Sequence, residues 1–446
     1  MIPADPRRIS PAMRTDMYEL TMLRAALADG TAERRCRFEV FTRRLPSWRR
    51  YGVLAGTGRF LEQLAAFRFS SAELGFLLER GIVDEPTAAY LENYRFNGTI
   101  SGLAEGEVYF PGTPLLSVVG TFAEAVVLET LVLSVLNFDS AVAAAASRMT
   151  SAAGTRPCLD MGARRTHEDA ALAAARAAVV GGFTGTSNLA AGALWEIPTI
   201  GTAAHAFTLL HDNEEQAFAS QVAAFGPGTT LLVDTYDIPL GVRRAIEVAG
   251  SELGAVRIDS GDLGILAREV RAQLDAAGAT ETKITVTSDL DEYAIASLSS
   301  APVDSFGVGT RLVTGSGAPT CSMVYKLAAR EAADGSMVPV AKASAGKPSV
   351  GGFKRLFREV DDQGRASADL VAIGDEASVA SFVPSQPARD LTVTYVRDGE
   401  IDESHLGAGG LRRAAEHHRS ARDELPLTAL RLSSGEPALP VRTATL

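Results

Sequence analysis

From about residue 157 the chain alternates short apolar runs with stretches of helical periodicity. The runs are PCLDMG (157–162), AVVGGFTGTSN (178–188), IPTIGTAAH (197–205), TLLVDTYD (230–237), AVRIDSGD (255–262), KITVTSD (283–289), VDSFGVGT (303–310) and VPVAKAS (338–344), each closing on a small or polar cluster. Crossover helices cover both faces of a parallel sheet, so its strands read as near-continuous apolar runs rather than alternating ones. Eight such runs favour a closed β/α barrel over an open doubly wound sheet. Between them, Leu263, Leu266, Val270 and Leu274 recur at helical spacing before Gly278, and another helix starts near Pro239 and ends near Gly250.

The flanks have a different texture. FEVFTRRLP (38–46), GTISGLAEGEVYFPGTPLLSVVG (98–120) and DLTVTYVRDGEI (390–401) read as antiparallel strands joined by Gly-rich and charged turns. The expected fold is therefore α/β: an irregular β/α (TIM-like) barrel with a second α+β domain built from the N-terminal and C-terminal segments. The expected divisions are 1–150 for the N-terminal α+β domain, 151–345 for the barrel, and 346–446 for the segment completing the first domain. The proline-spaced tail from Leu425 is expected to be loosely ordered. The most apolar window, AEAVVLETLVLSVLNF (123–138), is interrupted by Glu124 and Glu129 and reads as a buried helix, not a membrane span.

A formal net charge of −11 argues against a nucleic-acid partner, because counterion displacement needs a basic face. Any anionic ligand must be met by local cations. Cys36, Cys158 and Cys321 lie far apart, without zinc-ligand or disulfide-framework spacing, which points to a reducing, cytoplasmic setting. The first 20 residues lack the apolar stretch of a secretory signal, so none is expected.

In a β/α barrel the loops after the strands carry the chemistry. They supply Arg164, Arg165, Thr186, Ser187, His205, Asp234, Asp237, Asp259, Ser260, Ser288, Asp289, Gly307, Gly309, Thr310 and Lys342. The arginine pair and the backbone amides of GVGT suit an anion; the carboxylates suit Mg²⁺ or ribose hydroxyls. For Asp259, Ser260, Ser288 and Asp289, helix capping is an equal alternative, and GVGT can equally be a tight turn. His205 follows a strand opposite Asp234. A carboxylate on one ring nitrogen would fix the tautomer and leave the other nitrogen as base or nucleophile, against the alternative of a structural histidine. His211 reads as a surface or capping group, and His167 is open to either reading.

The stretches TDMYELTM, FEVFTRRLP, FPGTPLL, GARR, GGFTGTSN, GTAAH, VDTYD, IDSGDL, TSDLDE and FGVGTRLVTGSGAP, in this order, resemble the nicotinate phosphoribosyltransferase family. The resemblance runs from TDMYELTM to GGFKRLFR. It implies ATP-assisted synthesis of nicotinate mononucleotide and pyrophosphate from nicotinate and phosphoribosyl pyrophosphate, in NAD biosynthesis. His205 takes the place of the transiently phosphorylated histidine, with Asp234 as its orienting partner. Tyr18 falls against the pyridine ring, across a homodimer interface, and Met161 stands where relatives often carry a stacking aromatic. Arg164 and Arg165 fall to the nicotinate carboxylate or the pyrophosphate. Arg257, Asp259, Ser260 and Asp289 would hold ring and ribose, Gly309 and Thr310 the 5′-phosphate, and Thr186, Ser187 and Ser288 complete the substrate set. Mg²⁺ and ATP are the implied cofactor and co-substrate; which residues hold the metal is open.

Ser187 stands where the nicotinamide-using relatives carry an aspartate, which would repel a carboxylate, so nicotinate is favoured over nicotinamide; nicotinamide and quinolinate are the alternative bases, which a substrate panel separates. Met161, and Ala206 where a serine is common, are departures from the family pattern. They are the features that would fit a non-catalytic pyridine-nucleotide-binding paralogue, which the retained His205, Asp234 and arginine pair disfavour.

Overall fold

The computed structural model describes residues 9–342 and 349–446, which divide into two compact units. One unit is the continuous segment 145–317; the other is assembled from 1–144 and 318–446. The second boundary thus falls at 317/318 rather than 345, and the first at 144/145 rather than 150.

In the continuous unit, strands β1 (Cys158–Asp160), β2 (Gly185–Thr186), β3 (Thr230–Leu232), β4 (Ala255–Ile258), β5 (Lys283–Val286) and β6 (Ser305–Val308) form one sheet in the order β2-β1-β6-β5-β4-β3. Every ladder in it is parallel. The apolar positions explain this arrangement: Ile258, Ile284, Val286, Phe306 and Val308 are fully buried because helices cover the strands. The helices carry their own start signals. Asp237 accepts from Leu240 N at 2.8 Å and caps Ile238–Ala249, and Asp262 caps Leu263–Ala276.

Two of the eight expected barrel strands do not enter this sheet as strands. IPTIG makes only an isolated parallel bridge, Thr186 to Thr199. In VPVAKAS, Val338 and Pro339 lie in the strand Met337–Pro339, which pairs antiparallel with Met323–Glu331 in the other unit. Residues 343 and 344 of that run lie outside the described residues. Among the described residues the hydrogen-bonded sheet is an open arc of six parallel strands, and Lys342 belongs to the other unit.

That unit is built on a seven-stranded antiparallel sheet, with Arg35–Thr42 between Met323–Glu331 and Pro114–Thr121. Phe38 stacks on Tyr325 across the first of these ladders at 4.8 Å between ring centroids. A four-stranded sheet joins Ala388–Asp390, Phe353–Val360, Ala366–Gly374 and Val441–Thr445. The tail is therefore ordered: its last strand pairs in parallel with Ala366–Gly374 over Asp369 to Ile373. Arg358, fully buried, joins Glu107 at 2.7 Å and Asp369 at 2.9 Å, and Glu107 also takes Arg389 at 2.9 Å and His417 at 2.8 Å. Most of the apolar window 123–138 is helical, divided between Phe122–Val126 and the start of Glu129–Ala153. The latter is long and apolar enough to cross a membrane by composition, but 72% of its most apolar window is buried.

Candidate active site

The loops that leave the C-terminal ends of the parallel strands enclose a cavity of about 480 Å³, within the roughly 300–1,000 Å³ of small-molecule sites. Its wall includes Met161, Arg164, Arg165, Ser187, Arg257, Asp259, Ser288, Asp289, Gly307, Gly309 and Thr310, all expected from the sequence. It also includes Thr287 and the stretch Ile200–Ala204, which were not. His205, Asp234, Thr186 and Ser260 are not on the wall and support it from behind or beside. Asp237 is a helix cap. His167 likewise caps Glu168–Val180, and His211 Nδ1 lies 2.9 Å from Phe207 O. None of Asp259, Ser260, Ser288 or Asp289 caps a helix; the nearby caps are Asp262 and Asp291. Tyr18 lies in the other unit, 44% exposed on the helix Met17–Asp29, where burial and then the Glu129 carboxylate push its phenol above the ordinary range.

On one side of the cavity the chain leaving β1 makes a short 3₁₀ turn, Ala163–Arg165, that presents both arginines to solvent. Asp160, at the end of β1, accepts from Gly162 N at 2.8 Å and from Thr186 Oγ1 at 2.6 Å. Thr186 is thus fully buried and linked to the strand end rather than exposed to a ligand. Gly307 admits the Met161 thioether: a Cβ there would sit 2.6 Å from both Met161 Sδ and Thr287 Cγ2. Only glycine leaves that space.

On the opposite side, His205 opens the helix His205–Leu210, and its Nε2 lies 3.0 Å from Asp234 Oδ1. Its other nitrogen, Nδ1, has no partner among the described residues, and its side chain is 40% exposed. The Asp234 side chain is fully buried, and its second oxygen accepts from Asp259 N at 2.9 Å and Ser260 Oγ at 2.7 Å. Asp259 in turn accepts from Thr287 Oγ1 through Oδ1. A continuous set of hydrogen bonds therefore runs from the imidazole to two residues of the cavity wall. Arg257 donates to Thr202 Oγ1 at 2.7 Å, and burial lowers its guanidinium from the ordinary range against the pull of Asp259 and Asp234.

Ser288, on the wall between Thr287 and Asp289, has φ +111°, a strained value for a residue with a side chain. The wall carries three arginines and two aspartates, a balance suited to an anionic ligand that also bears hydroxyls. Among the described residues no three His, Cys, Asp or Glu cluster to hold a metal ion. Any Mg²⁺ here would need a ligand's own oxygens beside one or two carboxylates.

Comparison with known proteins converges on one family. The model of the nicotinate phosphoribosyltransferase (NAPRTase) N-terminal domain matches residues 13–137. Nicotinate phosphoribosyltransferase pncB1 of Mycobacterium tuberculosis is 53% identical over 98% of this chain and 97% of its own. The Bacillus subtilis nicotinate phosphoribosyltransferase is 37% identical over 82% and 77%. The crystal structure of human nicotinic acid phosphoribosyltransferase superposes with a TM-score of 0.79 at 25% identity, over 96% of this chain and 97% of that one. With a cationic cavity at the strand ends, a histidine–carboxylate pair beside it and relatives alike over 77–97% of their own length, the chain belongs to the nicotinate phosphoribosyltransferase family.

Proposed function

We propose that this transferase of NAD biosynthesis couples its reaction to ATP through transient phosphorylation of His205. The observation that carries the reading is the pairing of His205 Nε2 with the buried Asp234 carboxylate while Nδ1 stays without a partner. The carboxylate accepts the Nε2 proton, so the lone pair resides on Nδ1. That nitrogen attacks the γ-phosphorus of ATP; the bond to the bridging oxygen breaks, and ADP leaves with the electron pair. Water later cleaves the phosphoramidate to free phosphate, which never enters the product. The bonds from Asp234 to Asp259 and Ser260, and on to Thr287, support communication between that event and the cavity wall.

In the transfer itself the pyridine nitrogen of nicotinate bonds to the anomeric carbon as the carbon–oxygen bond to pyrophosphate breaks and pyrophosphate departs with the pair. Positioning and charge stabilisation suffice for such a displacement. Met161 packs against the ring, Arg164 and Arg165 meet the carboxylate or the pyrophosphate, and Ser187 leaves room for a carboxylate. Arg257, Asp259 and Asp289 hold ring and ribose, and Gly309 with Thr310 takes the 5′-phosphate. Asp259 and Asp289 are the carboxylates that would hold Mg²⁺ beside the substrate's phosphates, where the ion supplies neutralisation of the leaving pyrophosphate.

The protein is proposed to act as a homodimer, a reading supported by exposed Met17, Tyr18 and Met22 on one helix. A cytoplasmic setting is supported by three buried, unbridged cysteines. The six parallel strands and the Thr199 bridge support description as an incomplete β/α barrel. The test of the coupling is mass spectrometry of the protein after a single turnover with Mg-ATP, beside His205→Ala, with nicotinate mononucleotide formation assayed in parallel. Acid-labile phosphate present in the parent and absent from the variant is expected. Product formation without any phosphate on His205 would refute the coupling.

A further inference from the structure

We propose that Asp160 is a positioning residue for the base-recognition side of the cavity, holding the arginine turn and the Ser187 loop in one register. The proposal rests on the reading of Met161 and Ser187 as contacts of nicotinate and takes, of the two roles given above for Arg164 and Arg165, the one on the nicotinate carboxylate. Asp160 ends β1 and is 1% exposed, so it touches no substrate. Its Oδ1 accepts from Gly162 N at 2.8 Å, its Oδ2 from Thr186 Oγ1 at 2.6 Å, and its backbone oxygen from Ser187 N at 2.8 Å. One residue thereby ties two loops that come from different strands.

The side chain must be an acceptor at both ends. Gly162 offers an N–H. The Thr186 hydroxyl accepts from Asn188 N at 3.1 Å and gives its single proton to Asp160 Oδ2. An asparagine of the same shape would set an N–H against one of these donors and leave it unsatisfied in the interior.

Fold stability alone gives no reason for a carboxyl group at this place. Among the described residues no lysine, arginine or histidine pairs with Asp160, and burial pushes its carboxyl above the ordinary range, against the pull of the Thr186 and Gly162 hydrogen bonds. What the arrangement secures is the path of the next residues. Met161 N donates to Val308 O at 2.8 Å, and Arg165 N donates back to Gly162 O at 2.8 Å, closing the turn that carries the arginines. Behind Gly162 there is no slack, since a Cβ there would lie 2.3 Å from Val313 Cγ1 and 3.1 Å from Gly309 O. A site that recognises a planar anion needs its groups held to a fraction of an ångström.

The test compares Asp160→Asn, Thr186→Val and Thr186→Ser in the full-length protein, reading KM for nicotinate, KM for phosphoribosyl pyrophosphate, kcat and Tm. Asp160→Asn and Thr186→Val are expected to raise KM for nicotinate about tenfold or more, the loss of one charge-assisted hydrogen bond's worth of alignment. KM for phosphoribosyl pyrophosphate should rise by a much smaller factor, and Thr186→Ser, which restores the hydroxyl, should return KM for nicotinate to within about twofold of the parent. Unchanged KM for nicotinate overturns the proposal, as does an equal rise in both KM values accompanied by a fall in Tm, the mark of a merely structural role. Should Asp160→Asn fail to fold, the Thr186→Val and Thr186→Ser pair decides by the same readouts. A parent protein that forms no nicotinate mononucleotide would instead overturn the functional reading on which the proposal stands.

Discussion

Replacing Asp234 by asparagine isolates the role of the histidine's tautomer. The carboxylate makes three contacts: Oδ1 to His205 Nε2 at 3.0 Å, and Oδ2 to Asp259 N at 2.9 Å and Ser260 Oγ at 2.7 Å. Asparagine can keep an oxygen on only one side. Turning its NH₂ toward Asp259 would oppose the Asp259 N–H and displace the Ser260 O–H in the interior, at a cost of about 1–3 kcal/mol, or roughly a 5- to 150-fold preference against that orientation. The amide oxygen therefore stays with Asp259 and Ser260, and the NH₂ faces His205. To accept from it, Nε2 must give up its proton, which moves to Nδ1, the nitrogen proposed to attack ATP. Where a buried carboxylate–histidine pair was tested in this way in another enzyme, inversion of the tautomer cost about 10⁴-fold. A fall of about 10³-fold or more in histidine phosphorylation is expected here on the same grounds. The assay is rapid-quench incorporation of acid-labile phosphate from labelled ATP, beside ATP-independent formation of nicotinate mononucleotide at saturating substrates. Phosphorylation within tenfold of the parent would refute the tautomer argument. Parallel loss of ATP-independent transfer would show that Asp234 serves the transfer step directly.

Two further predictions follow from packing and charge. Gly307→Ala places a methyl 2.6 Å from Met161 Sδ and Thr287 Cγ2; the threonine is stiff, so Met161 must yield, and KM for nicotinate should rise about tenfold. Steady-state kinetics check this, and a change below twofold would show that Met161 is not part of the ring site. In the other unit, burial lowers His418 from 6.5 to about 4, while His417, Arg358 and Arg389 hold the buried Glu107 carboxyl well below 4.5 in spite of desolvation. Both groups bind protons more readily when unfolded, so their contribution to stability is complete above pH 6.5 for His418 and above pH 4.5 for Glu107, and is lost as the pH falls. Tm should decline below pH 6.5 and more steeply below 4.5; Glu107→Gln should flatten the lower limb while costing about 3–5 kcal/mol at neutral pH, because Arg358 loses a buried partner. Thermal melts across pH decide it, and an unchanged slope below pH 4.5 in Glu107→Gln would contradict the assignment.

The parallel sheet was readable because its strands are mostly buried: Ala255–Ile258, Lys283–Val286 and Ser305–Val308 all coincide with apolar runs, and among these positions only Lys283 is exposed. The same criterion misplaces Val338 and Pro339, since a short apolar run does not say which sheet will take it, and these residues pair with the antiparallel strand Met323–Glu331. It also overvalued IPTIG, which contributes a single bridge at Thr199. Most of the cavity wall was legible from its position after strands. Thr287 and Asp160 were missed for opposite reasons. Thr287 reads as an ordinary strand residue until its hydroxyl is seen on Asp259. Asp160 did carry a signal, a carboxylate inside the run PCLDMG, but its two donors come from residues 162 and 186, a pairing that only the folded chain reveals. Asp289 and Ser288 looked equally like helix caps because a cap and a ligand group occupy the same place after a strand; the true cap, Asp291, lies three residues beyond Ser288.

The unit assembled from both ends of the chain has a consequence for biosynthesis. Thr42 pairs with Met323, so the ladder between them cannot form until about 280 more residues have been made, a wait of roughly 15–60 s at ribosomal elongation rates of about 5–20 residues per second. During that interval the 145–317 segment can emerge whole, while the nascent Arg35–Thr42 strand has only Pro114–Thr121 beside it and an open edge on its other side. The 145–317 segment can thus fold vectorially, and the unit built from both chain ends must close late, its strand edge open to pairing with another chain throughout that interval.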